Sequence, residues 1–312
     1  SGNCSLPGSR KAKRAMQMFH TKLSALPHST AQALGSQVVV SNVSKSYGAD
    51  AFAKQVVHNC SFTIERGKLT VMIGPSGCGK STLIRLIAGF ERPSSGTITV
   101  DDKPVNGPGV DRLVVFQESA LFPWMNTYDN IMYGPRARHE DTQEMREFAE
   151  ALLQKVGLAA FRRKYPSQLS GGMQRRAELA RSMINRPNVM ILDEPFRGLD
   201  AMTKRLMQEY YANLYDEFRR TTFFVTTDID EAIYLADRIL IMTNIPTQVR
   251  EVIEVNLSRP RQVENNTESD EANGIKMQAL RLLHEEAMKS FARGSKAAAD
   301  FIDAYSKRMK KK

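Results

Sequence analysis

Alternating apolar and polar positions predict β-strands in both halves of the chain. Such alternation occurs in VVVSNVSKSYG and CSFTIERGKLTVMIG, and GTITVDDKPVNG has the composition of a hairpin closed by turn residues. The runs VMILDE, TFFVTT, RILIM and QVREVIEV are also typical of strands. Residues 140–163 and 199–219 carry apolar residues at helical spacing. Together these elements predict an α/β protein.

A polar stretch, RQVENNTESDEANG, separates these elements from a last apolar segment, IKMQALRLLHEEAMKSF. The apolar residues of that segment fit one face of an amphipathic helix, namely Ile275, Leu280, Leu283 and Phe291. We expect this helix to pack against the body of the protein or against a partner.

The composition is that of an ordinary globular protein, with 42% hydrophobic and 25% charged residues in a chain of 312. No apolar run approaches the roughly 20 residues that a membrane span needs, so any membrane contact is expected to be peripheral or through a partner. Cys4, Cys60 and Cys78 are too few and too scattered for a disulfide framework or a structural zinc site. We therefore expect a reducing compartment.

The net charge of +10 is concentrated at the two ends of the chain. Residues 1–36 contribute +5 without any acid and residues 296–312 contribute +4, which leaves +1 for the rest. Solvated tails explain this distribution, and contact with an anionic membrane surface or nucleic acid is the alternative. Because the folded body has no basic surplus, no nucleic-acid partner is expected. The acid-poor N-terminus also fits an organellar transit peptide, although a disordered extension is the simpler interpretation.

The strongest chemical signal is GPSGCGKST, which satisfies the pattern G-x-x-x-x-G-K-[ST] between an apolar strand and a helix. Its glycines let backbone N–H groups converge on phosphate oxygens at a helix N-terminus. Lys80 can then reach the β and γ phosphates, and the Ser81 hydroxyl can bind Mg²⁺. Nucleotide contacts are expected from the whole loop: Gly74, Pro75, Ser76, Gly77, Cys78, Gly79, Lys80, Ser81 and Thr82. Alkylation of Cys78 is expected to block nucleotide binding.

Two adjacent acids, Asp193 and Glu194, end the apolar strand VMILDE. The carboxyl edge of a parallel sheet is where ligands bind, so Asp193 is the natural partner for Mg²⁺. Glu194 is placed to accept a proton from an attacking water. Such acids can also merely cap the next helix, but the nearby phosphate loop favours catalysis.

A second glycine motif, Ser170-Gly171-Gly172, directly precedes a segment rich in helix formers. It could cap an ordinary helix or form a second anion site from exposed helix N–H groups. One chain rarely needs two phosphate sites, which suggests that the second site faces a nucleotide held by another subunit.

Five motifs occur in an order and spacing that resemble those of an ATP-binding-cassette (ABC) ATPase. They are GPSGCGKST, the glutamine of VVFQES, LSGGMQ, VMILDEP and GLD, and the resemblance spans residues 37–257. The segments FQESALFPWMNTYDNI and EPFRGLDAMTK also resemble ATPase subunits of bacterial importers of the nitrate, sulfonate, taurine and bicarbonate group.

The resemblance implies a P-loop NTPase fold with an antiparallel β subdomain and an α-helical subdomain over about residues 118–169. Around this ATPase domain at 37–257 we expect a flexible basic extension at 1–36, a polar linker at 258–274 and a helical C-terminal extension with a basic tail at 275–312.

The resemblance also implies two cassettes packed head to tail, with each ATP held between the phosphate loop of one subunit and LSGGMQ of the other. Tyr47 would stack on adenine, and Gln117 would sense the γ-phosphate and bind Mg²⁺. The partner-facing residues would be Ser170, Gly171, Gly172 and Gln174, with Asp200 communicating across the dimer. An ordinary strand aromatic is the alternative for Tyr47.

The loop after Gln117, with Phe122 and Trp124, would border a groove that accepts a helix of a membrane permease. A plain core position is the alternative for Trp124.

Thr227 stands where the family carries a switch histidine, just before Asp228 in FFVTTDIDEA. None of the five histidines can be moved into this register. Threonine offers one hydroxyl and no positive charge. Losing one contact of this kind slows catalysis about a hundredfold, so we expect normal ATP binding with slow hydrolysis, or reliance on a partner subunit with a complete site. Arg197, in the FRGLD loop, is a second departure, and either a solvated charge or a contact across the dimer is expected there.

These features favour the ATP-hydrolysing subunit of an importer for a small anion or small organic solute. The expected partners are a transmembrane permease, a second ATPase subunit in a homodimer or heterodimer, and a solute-binding protein. The expected location is the cytoplasmic face of the inner membrane. A soluble cassette ATPase acting on DNA or ribosomes is one alternative, but the 52 residues between Gln117 and Ser170 leave room for a helical subdomain and little else. A degenerate nucleotide-binding regulator is the other alternative.

Overall fold

The structure is a computed structural model that describes residues 35–48, 53–261 and 269–294. Nearly all of the expected N-terminal extension, part of the linker and the basic C-terminal tail lie outside these ranges, so the expectations about them stay predictions.

A six-stranded sheet forms the centre of the protein, in the order β10-β9-β3-β8-β7-β6. Strands β9, β3, β8, β7 and β6 are parallel, and β10 joins antiparallel to β9. The bounds are Leu69–Ile73 for β3, Arg112–Val115 for β6, Val189–Asp193 for β7, Thr221–Thr226 for β8, Arg238–Met242 for β9 and Val249–Glu254 for β10. Because β3, β7 and β8 are buried on both faces, apolar residues follow one another in them instead of alternating with polar ones, as in VMI of β3 and FFV of β8.

A second, antiparallel sheet has the order β2-β1-β4-β5. Its strands are β1 at Val38–Tyr47, β2 at Lys54–Ile64, β4 at Ser95–Val100 and β5 at Lys103–Pro104. The predicted hairpin in GTITVDDKPVNG is confirmed as β4 and β5, which pair antiparallel. Both sheets contribute to one core cluster, which includes Val38 and Ile64 of the antiparallel sheet and Met72 of the central one.

Seven α-helices lie within the described ranges: α1 Lys80–Ala88, α2 Thr127–Ala137, α3 Gln143–Lys155, α4 Gly171–Ile184, α5 Ala201–Phe218, α6 Ile229–Leu235 and α7 Asp270–Gly294. Helices α2, α3 and α4 enclose a separate apolar cluster that includes Ile131, Leu152 and Ala177. The elements confirm the predicted α/β class with an antiparallel β part and an α-helical part.

Two helix predictions compare differently with the structure. The helix expected at 199–219 is confirmed as α5. The helix expected over 140–163 is shorter, because α3 ends at Lys155 and Gly157 then adopts a φ of +66°. A short 3₁₀ turn at Ala159–Phe161 follows. Glycine tolerates this left-handed conformation without the steric cost of a Cβ atom.

Helix α7 contains the predicted C-terminal helix, but its buried face differs from the predicted one. Its Ala272, Ile275, Ala279 and Leu282 are buried in the core that also holds strands β3 and β9. Leu280 is 41% exposed, so the prediction for that residue is wrong. At about 100° per residue, positions 279 and 282 lie close to the direction of Ile275, whereas position 280 is rotated by about 140° from it. Leu283 is partly buried, and the side chain of Phe291 lies outside the described part.

The two leucines of α7 provide a matched test of this packing. Leu282→Ala is expected to lower the free energy of unfolding by about 2 to 4 kcal/mol, because it removes buried methyl groups and leaves a cavity. Leu280→Ala is expected to change it by less than about 0.5 kcal/mol, as at other exposed positions. Urea denaturation followed by circular dichroism measures both values, and equal effects of the two substitutions would contradict the orientation of α7.

Candidate functional site

The phosphate-loop motif lies between β3 and α1, where its backbone turns tightly. Gly79 has a φ of +105° immediately before the first residue of α1. A Cβ atom at Gly74 would approach both Cys78 Sγ and Met242 Cβ to 2.9 Å, so the loop needs a glycine there. Lys80 Nζ donates to the carbonyls of Gly74 at 2.9 Å and Pro75 at 3.0 Å. The amine thus lies inside the curve of the loop, with its hydrogen bonds satisfied by the loop itself.

Cys78 faces inward from this loop rather than toward solvent. Its side chain is 1% exposed, and burial raises the pKa of the thiol. Because the reactive form of cysteine is the thiolate, both effects slow alkylation. Alkylation of Cys78 is therefore expected to be slow, and the expectation that a modified Cys78 blocks nucleotide binding stays a prediction.

Ser81 and Asp193 meet at the same edge of the sheet. The Ser81 hydroxyl lies 3.3 Å from Asp193 Oδ2. Burial, followed by the charge of the neighbouring Glu194, raises the pKa of Asp193. A cation beside these carboxylates would offset both effects. Hydroxyl and carboxylate oxygens are the ligands that Mg²⁺ prefers, so this donor set fits the predicted ion.

Glu194 follows β7 and has a left-handed backbone with a φ of +42°. Its N–H donates to Val225 O at 2.9 Å, which fixes the turn against β8. Arg197 Nη1 lies 3.0 Å from Glu194 Oε2. The side chain of Arg197 is 61% exposed and that of Glu194 is 11% exposed. Arg197 is therefore not a purely solvated charge, and its expected contact across the dimer stays a prediction.

Thr227 follows β8 and is exposed. The preceding Thr226 accepts a hydrogen bond from the N–H of Asp228 at 3.0 Å, and Asp228 caps α6 by accepting from Glu231 N. Lys204 Nζ of α5 donates to Asp228 Oδ2 at 2.8 Å. Burial opposes a charged Lys204, but the hydrogen bond to Asp228 and the charges of Glu231 and Glu194 raise the pKa of its amine. Lys204 is a cation at this edge of the sheet that sequence reasoning missed. Its position one helical turn after Asp200 was the feature that could have indicated it.

Gln117 follows β6 and has an exposed side chain. Its carbonyl accepts a hydrogen bond from Arg175 of α4. Arg175 also forms a buried ion pair with Glu178, with 2.7 Å between Arg175 Nη1 and Glu178 Oε2. Sequence reasoning did not single out either residue of this pair.

The second glycine motif forms the N-terminus of α4. Ser170 caps the helix by accepting from Met173 N at 3.3 Å. Gln174 Nε2 donates to Pro166 O at 2.9 Å. A Cβ atom at Gly172 would approach Thr203 Cγ2 to 2.9 Å, which places the motif beside the start of α5. Asp200 caps α5 by accepting from Thr203 N at 2.9 Å.

Tyr47 ends β1, and its side chain is 38% exposed. Its hydroxyl donates to Glu91 Oε2 at 2.6 Å. Burial, followed by this hydrogen bond, raises the pKa of the tyrosine, while the Thr82 hydroxyl of the phosphate loop opposes the shift. The ring is thus partly open to solvent beside the loop. Stacking on adenine stays a prediction.

An aromatic cluster borders a cavity of about 330 Å³ that is lined by residues including Phe116, Phe122, Tyr133 and Arg181. The ring of Phe122 lies 5.4 Å from that of Trp124 and 4.6 Å from that of Tyr133, measured between centroids. Trp124 is 69% exposed, so the alternative that it is a core residue is wrong. Among the residues that the structure describes, no helix is long and apolar enough to span a bilayer.

The phosphate loop after β3, the two acids after β7 and the helical insertion after β6 define a P-loop nucleotide-binding ATPase of the cassette type. Comparisons with known proteins specify this class further. The sequence profile of the ABC transporter family matches residues 57–197. The nitrate import ATP-binding protein NrtD of Synechococcus elongatus is 42% identical over 231 residues, which cover 73% of this chain and 84% of that protein.

The aliphatic sulfonates import ATP-binding protein SsuB of Bacillus thuringiensis subsp. konkukian is 40% identical over 225 residues, covering 72% of this chain and 88% of that protein. The dimeric ATP-binding cassette MJ0796, solved in a post-hydrolysis state with ADP and Pi, aligns with a TM-score of 0.61 and 26% identity. That alignment covers 71% of this chain and 100% of the other. The chain therefore belongs to the ABC transporter ATP-binding family, whose cassettes bind and hydrolyse ATP.

The contact between Arg197 and Glu194 predicts a measurable restraint on turnover. An exposed ion pair contributes about 0.2 to 1 kcal/mol, so Arg197→Ala is expected to raise the rate of ATP hydrolysis about 1.4- to 5-fold by freeing the Glu194 carboxylate. Arg205→Ala, at an exposed arginine of α5, is the matched control and is expected to leave the rate unchanged. Steady-state phosphate release measures both variants. A lower rate for Arg197→Ala would contradict the restraint and show that Arg197 supports the reaction.

Proposed function

We propose that this chain is the ATP-hydrolysing subunit of an importer that takes up a small anion or a small organic solute. The observation that carries the proposal is the similarity to relatives named as import ATP-binding proteins, at 40% and 42% identity over most of their length. Their names specify different solutes, an aliphatic sulfonate and nitrate, at nearly equal identity. We therefore propose the class of transported solute and leave its identity open.

The site supports a mechanism in which the backbone of the loop from Gly74 to Thr82 holds the triphosphate of ATP. Lys80 would exchange the carbonyls of Gly74 and Pro75 for phosphate oxygens, which are the stronger acceptors for an ammonium group. Ser81, Asp193 and Gln117 would hold Mg²⁺, which supplies positive charge to the phosphate oxygens during transfer. Glu194 would take the proton of the attacking water. Tyr47 would stack on the adenine.

A second ATPase subunit would complete the site. Exposed backbone groups at the start of α4 favour an anion, because the first N–H groups of a helix have no intrahelical acceptor. We propose that Ser170, Gly171, Gly172 and Gln174 face the ATP of the partner subunit and that Asp200 lies at the junction. The dimeric state reported for the related cassette bound to ADP and Pi supports this arrangement.

A membrane permease would dock beside Phe122 and Trp124. An exposed tryptophan next to a cavity is typical of a surface that a partner covers. We accordingly propose a peripheral position at the cytoplasmic face of the inner membrane, with a solute-binding protein delivering the solute to the permease.

Thr227 supports the further proposal that this subunit hydrolyses ATP slowly. In the described conformation Arg197 and Lys204, two cations that interact with Glu194, each already pair with an acid. A neutral threonine adds no positive charge where negative charge develops. The same observation favours a second candidate, a nucleotide-binding regulator with little hydrolysis. A soluble cassette ATPase outside transport is a third candidate, which no feature of the site favours.

The switch position can be tested by restoring the histidine. Thr227→His is expected to raise kcat by about 10- to 100-fold, because the imidazole supplies a donor and a positive charge near the γ-phosphate. Thr227→Ser is the matched control and is expected to leave kcat within about twofold, because it keeps the hydroxyl. Phosphate release by the purified protein measures kcat.

Glu194→Gln defines the background of the same assay, because an amide cannot accept the proton. Wild-type turnover at that background would favour the regulator. Rapid wild-type turnover that Thr227→His leaves unchanged would contradict the proposal about Thr227.

The permease proposal predicts a membrane partner whose binding depends on Trp124. Immunoprecipitation from detergent-solubilised membranes of the source cell is expected to recover an integral-membrane subunit with the wild type, and at least about tenfold less with Trp124→Ala, as for a central aromatic contact. Val110→Ala, at an apolar residue that is 83% exposed, is the control and is expected to retain the partner. Recovery of equal amounts with both variants would contradict docking at Trp124.

A further inference from the structure

The loop that carries Gln117 is hydrogen-bonded to a buried ion pair on α4. Arg175 is 7% exposed and Glu178 is 2% exposed, and they lie one turn apart. Arg175 Nη1 donates to Phe116 O at 2.8 Å, and Nη2 donates to Gln117 O. Glu178 accepts from Ala120 N. Two carbonyls and one N–H of the loop backbone are therefore fixed by a single ion pair.

The chemistry of this pair argues for a role beyond packing. Removing two charges from water costs several kcal/mol per ion, and a pair of apolar side chains would fill the same volume at equal or lower cost. Burial raises the pKa of Glu178, which the charge of Arg175 and the N–H of Ala120 oppose. What the pair adds is directional hydrogen bonding, because the planar guanidinium presents two parallel donors to adjacent carbonyls.

The position of the ion pair on α4 connects the start of that helix to the Gln117 loop. Helix α4 starts at Gly171, so Arg175 lies little more than one turn from the Ser170 cap. The other end of the contact is the backbone on either side of the exposed Gln117 side chain. Trp124 and Phe122 follow in the same loop, where Asn130 of α2 accepts from Phe122 N at 2.8 Å and its amide donates to Phe122 O. The loop is thus tied to two helices.

We propose that Arg175 and Glu178 are positioning residues for ATP hydrolysis: they lock the backbone of the Gln117 loop to the helix that begins at Ser170, so that loop and helix move as one body. This inference rests on the proposed function, in particular on the role of Gln117 at the γ-phosphate. Neither residue touches ATP, and both act through Gln117.

Replacing both charges separates positioning from folding. The double substitution Arg175→Met/Glu178→Leu keeps the volume and removes both charges of the pair together, so the melting temperature is expected to stay within a few degrees of the wild type. We expect kcat to fall about 10- to 100-fold, because a displaced loop misplaces Gln117. The KM for ATP is expected to change by less than about threefold, since the phosphate loop and Tyr47 are untouched.

The distinguishing measurement is a cycle with Gln117→Ala. A pair that acts through Gln117 has no further effect once that side chain is gone, so the combined variant is expected to be no slower than Gln117→Ala alone. Arg176→Met is the matched control. It is the next residue of α4, but its guanidinium donates to Val156 O at the end of α3 and not to the loop. We expect its kcat to stay within about twofold of the wild type.

Three outcomes would overturn the proposal: unchanged kcat in the double variant, losses that multiply in the cycle, or an equal loss in Arg176→Met. If the double variant fails to fold, Arg175→Lys takes its place, because lysine keeps the charge but cannot donate to both loop carbonyls in the geometry of a guanidinium. The kcat of Arg175→Lys and its cycle with Gln117→Ala then test the proposal by the same criteria. The same assay separates failure of this proposal from failure of the proposed ATPase function. If the chain is not an active ATPase, the wild type turns over no faster than Glu194→Gln. If it is active, wild-type turnover exceeds that background, and the outcomes above test the positioning role alone.

Discussion

The in-register parallel pairing of four neighbouring strands is the constraint on which the rest of the site depends. Ile73 of β3 pairs with Thr226 of β8, Val225 with Asp193 of β7, and Leu192 with Val115 of β6. Because parallel strands all end at one edge, the next residues of each strand lie side by side. The phosphate loop, Thr227, Glu194 and the Gln117 loop are therefore neighbours in space, although 144 residues lie between the end of the phosphate loop at Thr82 and Thr227. A slip of one residue in any of these strands would turn its functional residue to the other face of the sheet.

Charged side chains at this edge of the sheet are paired with one another in the described conformation. Glu194 pairs with Arg197 and Asp228 with Lys204, while the switch position holds a neutral threonine. Arg197 is mostly solvated, so its pair contributes little and is easily broken. A weak contact of this kind suits the role proposed for Glu194, a general base that is covered in one state of the cycle and released in another. In the proposed mechanism, bound nucleotide would bring negative charge that competes with the loop carbonyls for Lys80.

The helical part of the protein connects two surfaces that face different partners in the proposed assembly. One is the start of α4 at Ser170, and the other is the aromatic surface at Phe122 and Trp124. Arg175 and Glu178 lie between them and hold the loop that also carries Gln117. A buried ion pair is a poor source of stability but a good source of fixed geometry. The described site does not specify the transported solute, because none of its residues is of a kind that would select one small solute over another.

The sequence by itself determined the motifs, the order of most elements and the family, because each depends on residues adjacent in the chain. A glycine-rich turn before a helix, or an acid after an apolar strand, can be recognised from about ten consecutive residues. Only the tertiary structure showed that Arg197 pairs with Glu194, that Lys204 reaches Asp228, and that Arg175 and Glu178 hold the Gln117 loop, which lies nearly 60 residues away. It also showed that Cys78 is buried and reversed the local expectation for Leu280. Whether a side chain is buried, and which charge it meets, is decided by segments that pack against it from elsewhere in the chain, and no local pattern carries that information.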